Sequence, residues 1–193
     1  MSFDETVLSF AAPALCGIKP ANLFSVPKSC LLREQNKISS WTKDFMAMGR
    51  EIQVIERSKN LFLFFAFDRK LLCKTLSGSP QMKYLKSKGY PVGSGWNTIL
   101  LELFFRLSND EAIFPHEIGL FLGYPLSDVV AFEKDGGKKS KYTGSWQVYS
   151  NVDEACKKMK LYRECSTQCC KQLAKGTAIP VICKAYSNRE KKL

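Results

Sequence analysis

The chain has 193 residues, of which 45% are apolar and 12% aromatic, and its formal net charge is +11. This composition excludes a disordered chain, and the length indicates one domain over residues 1–193 with a frayed basic tail at 187–193. No apolar run reaches the roughly 20 residues of a membrane helix and the start shows no secretory leader, so we expect a cytoplasmic protein without a membrane partner.

The cysteine content and the net charge indicate the redox state of the thiols and the charge of the expected partners. Eight cysteines in a chain without an export signal are typical of reduced thiols rather than of a disulfide framework. The positive charge favours anionic partners such as nucleic acid, phosphorylated ligands or acidic proteins, and it does not select among them.

The first third of the chain predicts two helices and a strand pair. Helices are expected at 4–15 and 30–49, separated by a proline-bracketed loop at 19–27. Strands are expected at 51–57 and 60–68 with a tight turn between them. The second strand is apolar on both faces, so it should be central and buried.

The middle of the chain predicts helices. Two short helices at 69–76 and 79–88 are followed by a loop at 90–95 and a core helix at 96–107. Pro115 then suits the first turn of another helix, which Gly123 and Pro125 should end.

The last third predicts a second strand pair, at 129–134 and 144–150, with a polar loop between the strands. A long helix is expected at 153–176, and 179–186 could be a last strand or a docked tail. Strands grouped in pairs indicate an α+β fold: a small, largely antiparallel sheet of about four strands covered by helices, with a long C-terminal helix.

The segment 114–132, FPHEIGLFLGYPLSDVVAF, is the strongest candidate for a site. It holds the only histidine, His116, next to Glu117, in a stretch (107–133) without Lys or Arg. A histidine near a helix N-terminus tends to stay neutral and can act as a base, a donor or a ligand. In an enzyme, His116 would be the acid–base group and Glu117 its partner. Alternatively, His116 only bonds a loop and Glu117 caps the helix.

The cysteines give a weaker signal. Cys16 follows an expected helix and precedes Gly and Pro, so we expect an exposed loop and a candidate reactive thiol, with a buried apolar thiol as the alternative. Cys156, Cys165 and Cys169 can share one stripe of the long helix, with Cys170 beside them. They lack paired C-x-x-C hooks, so we predict packed thiols and no metal site.

Two further features could contact a ligand. Tyr142 and Trp146 share strand parity beside a lysine-rich loop at 134–141, where aromatic rings could stack on a flat ligand or base. Half-buried core aromatics and a solvated hairpin tip are the alternatives.

Three motifs, ALCGIKPANLF, FPHEIGLFLGYPLSDVVAF and KYTGSWQVYSNVDEACKKMKLYREC, resemble an uncharacterised bacterial family defined as a domain of unknown function, family 3793. The resemblance covers nearly the whole chain and implies a single-domain bacterial protein, but no activity. The recurring pattern of the family falls on Lys19, Ala21, His116, Glu117, Gly119, Gly123, Tyr124, Pro125, Asp128, Tyr142, Gly144, Trp146 and Tyr149.

We therefore expect one polar site for a small, anionic or redox-active ligand. Its candidate residues are His116, Glu117, Lys19, Asp128, Tyr142, Trp146 and the thiol of Cys16. Two alternatives stay open: a nucleic-acid-binding module that uses the loop 134–141 and the C-terminal helix, and a non-catalytic interaction adaptor. The sequence identifies no cofactor, substrate or oligomeric state.

Overall fold

The computed structural model describes residues 1–109 and 113–190. The helices are α1 (Phe3–Leu15), α2 (Lys28–Ala47), α3 (Arg69–Leu76), α4 (Ser79–Ser87), α5 (Trp96–Ser108), α6 (Ile118–Phe121), α7 (Leu126–Asp135), α8 (Val152–Leu173) and α9 (Ile179–Glu190). The strands are β1 (Ala21–Pro27), β2 (Arg50–Ser58), β3 (Leu61–Asp68), β4 (Tyr142–Thr143) and β5 (Gln147–Val148).

The fold is α+β, as predicted, and is built around an antiparallel sheet with the strand order β1-β3-β2. β3 pairs with β1 in a register that places Phe24 opposite Phe64, and with β2 in a register that places Val54 opposite Phe64. β4 and β5 form a separate two-stranded hairpin. β3 therefore occupies the central, buried position that its apolar sequence predicts.

Helices cover both faces of the sheet. Successive side chains of a strand point to opposite faces. Phe64 and Ala66 pack in a core with residues of α1, α2, α8 and α9, whereas Phe65 and Phe67 pack in a second core with residues of α3 to α6. A third, smaller cluster joins Trp146 to Met159 of α8. Among the described helices, none is long and apolar enough to cross a bilayer.

Local sequence signals explain where the correctly predicted helices begin. α1 starts with a capping box, in which the Ser2 hydroxyl accepts from the Glu5 amide (3.2 Å) and the Glu5 carboxylate accepts from the Ser2 amide (2.7 Å). Asp68 caps α3 by accepting from the Leu71 amide at 2.9 Å. Asn151 does the same for α8, accepting from the Glu154 amide at 3.1 Å.

The loop predicted at 19–27 is wrong, because this segment forms β1 from Ala21 to Pro27. The two prolines misled the prediction. Pro20 lies just before the strand and Pro27 ends it, so neither proline interrupts the ladder with β3. An edge strand tolerates proline at its ends, where no ladder hydrogen bond is lost.

The strand predicted at 129–134 is also wrong, because α7 covers it. Pro125 precedes the helix, Asp128 lies in its first turn, and Gly136 ends it in the left-handed conformation (φ +63°). These end signals outweigh the β-branched pair at positions 129 and 130. The strand predicted at 144–150 shrinks to the two residues of β5.

Two other expectations change in part. The helix expected from Pro115 is the single turn α6, ended by Gly123 with φ of +83°. Residues 179–186 form part of a docked helix, α9, rather than a strand. Residues 187–190 of the expected frayed tail belong to that helix and Ser187 is buried, whereas 191–193 lie outside the described residues.

Candidate functional site

His116 lies in the turn before α6 and is exposed. Its ring stands edge-on to Phe132 of α7, with 5.2 Å between the ring centroids and an interplanar angle of 77°. α6 has only one turn, so the helix dipole that sequence analysis invoked for this histidine is weak. The imidazole is therefore accessible to solvent and is held mainly by ring packing.

Glu117 is buried and has a structural role. Its carboxylate accepts from Arg106 Nη1 at 2.9 Å and from the Tyr90 hydroxyl at 3.1 Å. Burial, together with the Glu117 charge, raises the pKa of Tyr90 well above its usual value, so this hydroxyl remains a donor. The carboxylate is thus directed at α5 and the loop before it, and within the described residues it makes no hydrogen bond to His116, although both residues line a cavity of about 380 Å³.

Asp128 is likewise buried, and it fixes the segment that follows the lysine-rich loop. Oδ2 accepts from Trp146 Nε1 at 3.0 Å, and Oδ1 accepts from the Tyr149 amide (3.1 Å), the Ser150 amide (3.1 Å) and the Ser150 hydroxyl (2.9 Å). A carboxylate with this many donors is a structural tie between α7 and the β5 segment. It has little capacity left for a ligand.

Three of the predicted site residues do meet in space. His116, Asp128 and Trp146 line one cavity of about 320 Å³, together with apolar residues that include Phe114 and Phe132. Tyr142 is not among the lining residues of this cavity and is 40% exposed. The cavity is largely apolar, because the Asp128 carboxylate is turned toward its own hydrogen-bond donors.

Lys19 lies on the border of a different and larger cavity. It is only 5% exposed, and its Nζ lies 5.5 Å from the ring centroids of both Tyr124 and Tyr162. Within residues 1–109 and 113–190 its Nζ has no carboxylate partner and no hydrogen bond, and the atom keeps a small contact with solvent. Burial lowers the pKa of this lysine from 10.5 to about 8, so the ammonium form still predominates at pH 7.

The cavity next to Lys19 has a volume of about 870 Å³ and lies between α1, β1 and α8. Its wall combines apolar side chains, hydroxyls and positive charges, and it includes Arg163 and Lys171. Among the described residues that line it, none is acidic. The cavity therefore has a positive potential with one desolvated charge, which suits an anion.

Tyr124 connects the two cavities. Its ring stacks on Trp146 with 4.8 Å between centroids, and both Tyr124 and Ser145 line both cavities. The Tyr124 hydroxyl donates to the Ser145 carbonyl at 3.4 Å. Burial raises the pKa of Tyr124 to about 12, with a smaller contribution from Tyr162, so its ring is neutral and available for the cation–π contact with Lys19.

Cys16 is not in the exposed loop that the sequence predicted, since only 1% of its surface is exposed. It is the C-cap residue of α1 and is enclosed by α8 and α9. Its Sγ lies 3.6 Å from that of Cys169, and the sulfur atoms of Cys16, Cys165 and Cys169 all lie within 4.8 Å of one another. Cys16 lines neither of the cavities that contain Lys19 or His116.

The motifs of the sequence correspond to a known family. The family model described as "Protein of unknown function (DUF3793)" matches residues 7–183. The chain belongs to this family. A search of curated proteins and a search of solved structures both found no match. In this DUF3793 protein, the match runs from α1 to α9 and thus includes both cavities and the thiol cluster.

Sequence analysis missed the tyrosines that surround Lys19 in this DUF3793 protein. Tyr124 was named in the family pattern but was not assigned to the site. Tyr162 and Arg163 are on α8, where apolar and polar positions alternate as in any amphipathic helix. The pairing of Lys19 with Tyr162 depends on the packing of α1 and β1 against α8, and no local pattern signals it.

Proposed function

We propose that this protein binds a small organic anion in the cavity between α1, β1 and α8, with Lys19 as the charged anchor. The observation that carries the proposal is a buried ammonium group without a carboxylate partner among the described residues. Burying an unpaired charge is costly, and folded proteins rarely retain one without a use. An anion at this position would supply the missing countercharge.

The cavity suggests what kind of anion fits. Its volume of about 870 Å³ is within the usual range for small-molecule sites. Phe10, Leu23 and Leu122 provide apolar wall, whereas Ser166 and Thr167 provide hydroxyls. We propose a ligand whose carboxylate or phosphate meets Lys19 and whose apolar body lies along these side chains. Tyr124 and Tyr162 hold the ammonium in place from the protein side.

The proposal moves the centre of the predicted site from His116 to Lys19. His116 remains a candidate acid–base group, since it is exposed and lines the neighbouring cavity that shares Tyr124. Glu117 is better explained by its ion pair with Arg106, and Asp128 by its hold on Trp146. We also propose a cytoplasmic, bacterial setting, which free cysteines support.

The test is a binding screen with matched anions and neutral analogues. Melting temperature and calorimetric affinity would be measured with inorganic phosphate, citrate, adenosine monophosphate against adenosine, and 4-hydroxybenzoate against 4-hydroxybenzamide. We expect an anion from this set to bind and its neutral analogue to fail. Lys19→Met should abolish binding, whereas Lys160→Met, at a largely exposed position of α8, should preserve it.

Two results would contradict the proposal. One is equal binding of an anion and its neutral analogue, because the charge of Lys19 would then contribute nothing. The other is unchanged affinity in Lys19→Met. Lys19→Arg serves as a further control, because it keeps the charge but places a planar, larger group between the two tyrosines. This variant should bind the anion more weakly but still prefer it to its neutral analogue.

A second candidate function is nucleic-acid binding, which the exposed lysines of the loop after α7 favour. Lys138, Lys139 and Lys141 are exposed and carry positive charge beside the β4–β5 hairpin. This function predicts an affinity for RNA or DNA that falls steeply with salt and is reduced by changing the three lysines to glutamine. Such binding is strongest at low salt, on the order of 50 mM. If the protein shows no measurable affinity for single-stranded RNA or duplex DNA under these conditions, nucleic-acid binding is excluded.

A further inference from the structure

Four buried cysteines come together where the end of α1 meets α8 and α9. Cys16 ends α1, Cys165 and Cys169 lie one turn apart on α8, and Cys183 lies on α9. All four are buried, and none of them is in a disulfide. Cys183 packs in the same core as the other three, whose sulfur atoms all lie within 4.8 Å of one another.

We propose that the thiol cluster of Cys16, Cys165 and Cys169 is a zinc site, with Cys183 available as the fourth ligand. Three sulfur atoms within 4.8 Å of one another, with one pair at 3.6 Å, already have nearly the required spacing. With Zn–S bonds of about 2.3 Å, the sulfur atoms of a tetrahedral site are about 3.8 Å apart. An ion could therefore be seated by small side-chain adjustments.

The backbone around Cys16 is held in place independently of any ion. Its carbonyl accepts from Arg50 Nη2 at 3.3 Å and from the Ser187 hydroxyl at 2.5 Å. Gly17 follows with φ of +75°, and a Cβ at that position would collide with the Arg50 guanidinium. This fixed geometry directs the Cys16 thiol at α8, which favours binding because little ordering remains to be done.

The charge that the cluster would carry with an ion bound also favours zinc. Zinc would replace the thiol protons: Zn²⁺ binds the three thiolates, three protons are released to solvent, and the site carries a net charge of −1, or −2 with a fourth proton released if Cys183 also binds. With the same set of thiolates, a monovalent ion such as Cu⁺ would leave one more negative charge in the apolar core, so the charge balance favours zinc.

An ion can reach the cluster from the surface. Cys169 lines an open groove of about 470 Å³ between the end of α8 and α9, which Gln172, Ile182 and Tyr186 also line. Cys169 is itself only 1% exposed, so an ion would enter from this groove as the side chains around the thiol move. The i, i+4 spacing of Cys165 and Cys169 differs from the usual C-x-x-C hook, yet it points both thiols to the same side of α8.

The experiment uses the full-length protein, stripped of metal with a chelator and kept reduced. Zinc alone is titrated with a pH indicator and elemental analysis, and Co²⁺ is used as a spectroscopic substitute. We expect one zinc per chain, release of three protons as the thiols are deprotonated, or four if Cys183 also binds, a thiolate-to-cobalt charge-transfer band and a raised melting temperature. Cys169→Ser should weaken zinc binding at least about 100-fold, whereas Cys156→Ser, on the same helix but outside the cluster, should bind as the wild type does.

Several results would overturn the proposal. These are no stoichiometric zinc, no thiolate band with cobalt, unchanged affinity in Cys169→Ser, or a Cys16–Cys169 disulfide in the protein isolated without oxygen. If Cys169→Ser fails to fold, as circular dichroism would show, the cobalt spectrum and proton count of the wild-type protein decide the question. Loss of zinc binding leaves the anion site at Lys19 untouched, so the two proposals fail separately.

Discussion

Replacing Lys19 by methionine should make the ligand-free protein more stable at pH 7. Methionine is unbranched and one atom shorter than lysine, so it fills most of the space between Tyr124 and Tyr162, but it removes the buried charge. A functional group that costs stability is the expected signature of a binding site, since the ligand rather than the fold balances its charge.

The magnitude follows from the pKa of Lys19. The difference between 10.5 and about 8, at about 1.4 kcal/mol per pH unit, corresponds to a cost of about 3 kcal/mol for the charged form. The two cation–π contacts return about 0.5 to 1 kcal/mol each. Lys19→Met should therefore raise the free energy of unfolding by about 1 to 2 kcal/mol at pH 7.

The stability difference between Lys19→Met and the wild-type protein should depend on pH with a definite sign. Below pH 8 the lysine is charged in the folded and the unfolded states, so the full cost is present. Between about 8 and 10.5 the folded state loses the proton first, so the unfolded state binds more protons and the wild-type protein gains stability as pH rises. The advantage of Lys19→Met should therefore shrink over this range.

Urea denaturation of both proteins at pH 7 and again near pH 10 measures the effect, because other titrating groups cancel in the difference between them. Lys160→Met, at an exposed position of α8, should show no such change. The reasoning is refuted if Lys19→Met is clearly less stable than the wild type at pH 7, or if its advantage does not depend on pH.

Three further predictions follow from the same contacts. Asp128→Asn should lower the free energy of unfolding by about 3 kcal/mol, because Trp146 and the backbone donors lose a charged acceptor. Chemical denaturation measures this loss, and a change below about 0.5 kcal/mol would contradict the prediction. Glu117→Gln should lower the free energy of unfolding by about 2 kcal/mol, since Arg106 loses its buried partner but keeps the Glu102 carboxylate. Chemical denaturation checks this, and a Glu117→Gln protein as stable as the wild type would contradict it. Affinity for the anion should be constant below pH 8 and fall as pH rises through about 8, because Lys19 then loses its proton in the free protein. Calorimetry measures the affinity across that range. An affinity that rises or stays level would contradict the prediction.

Much of the fold was predictable because its signals are local. β3 is apolar throughout and lies at the centre of the sheet, and the cap residues Ser2, Asp68 and Asn151 mark the starts of their helices. These features depend on neighbours within a few residues, which the sequence shows directly. The segments that were wrong, such as β1, acquire their structure from pairing with distant strands.

The candidate site was predictable only in part. Lys19, Asp128 and Trp146 stood out as polar or amphipathic residues in specific motifs, yet their burial and partners differ. Asp128 is saturated with donors, whereas Lys19 is unpaired within the described ranges. Whether a buried charge is satisfied depends on residues far away in the chain, so the sequence could nominate these side chains but could not separate a structural carboxylate from a binding lysine.

The thiol cluster illustrates the same limit. The stripe of cysteines on α8 was visible from the spacing of Cys165 and Cys169, but Cys16 appeared to belong to an exposed loop. Only the packing of α1 against α8 and α9 brings its thiol to the other two. A metal-ligand pattern is easiest to recognise in a sequence when all its ligands are close together in the chain, whereas here one thiol comes from the end of α1 and two come from α8.

The most direct test of the central claim is the pKa of the Lys19 side chain, measured by NMR of its labelled Cε with Lys19→Arg used for assignment. We expect a value near 8 in the free protein and a rise toward 10.5 when a bound anion from the screen supplies the countercharge. A value near 10.5 in the free protein would contradict the buried, unpaired ammonium. A low value that a saturating anion leaves unchanged would show that Lys19 does not bind it.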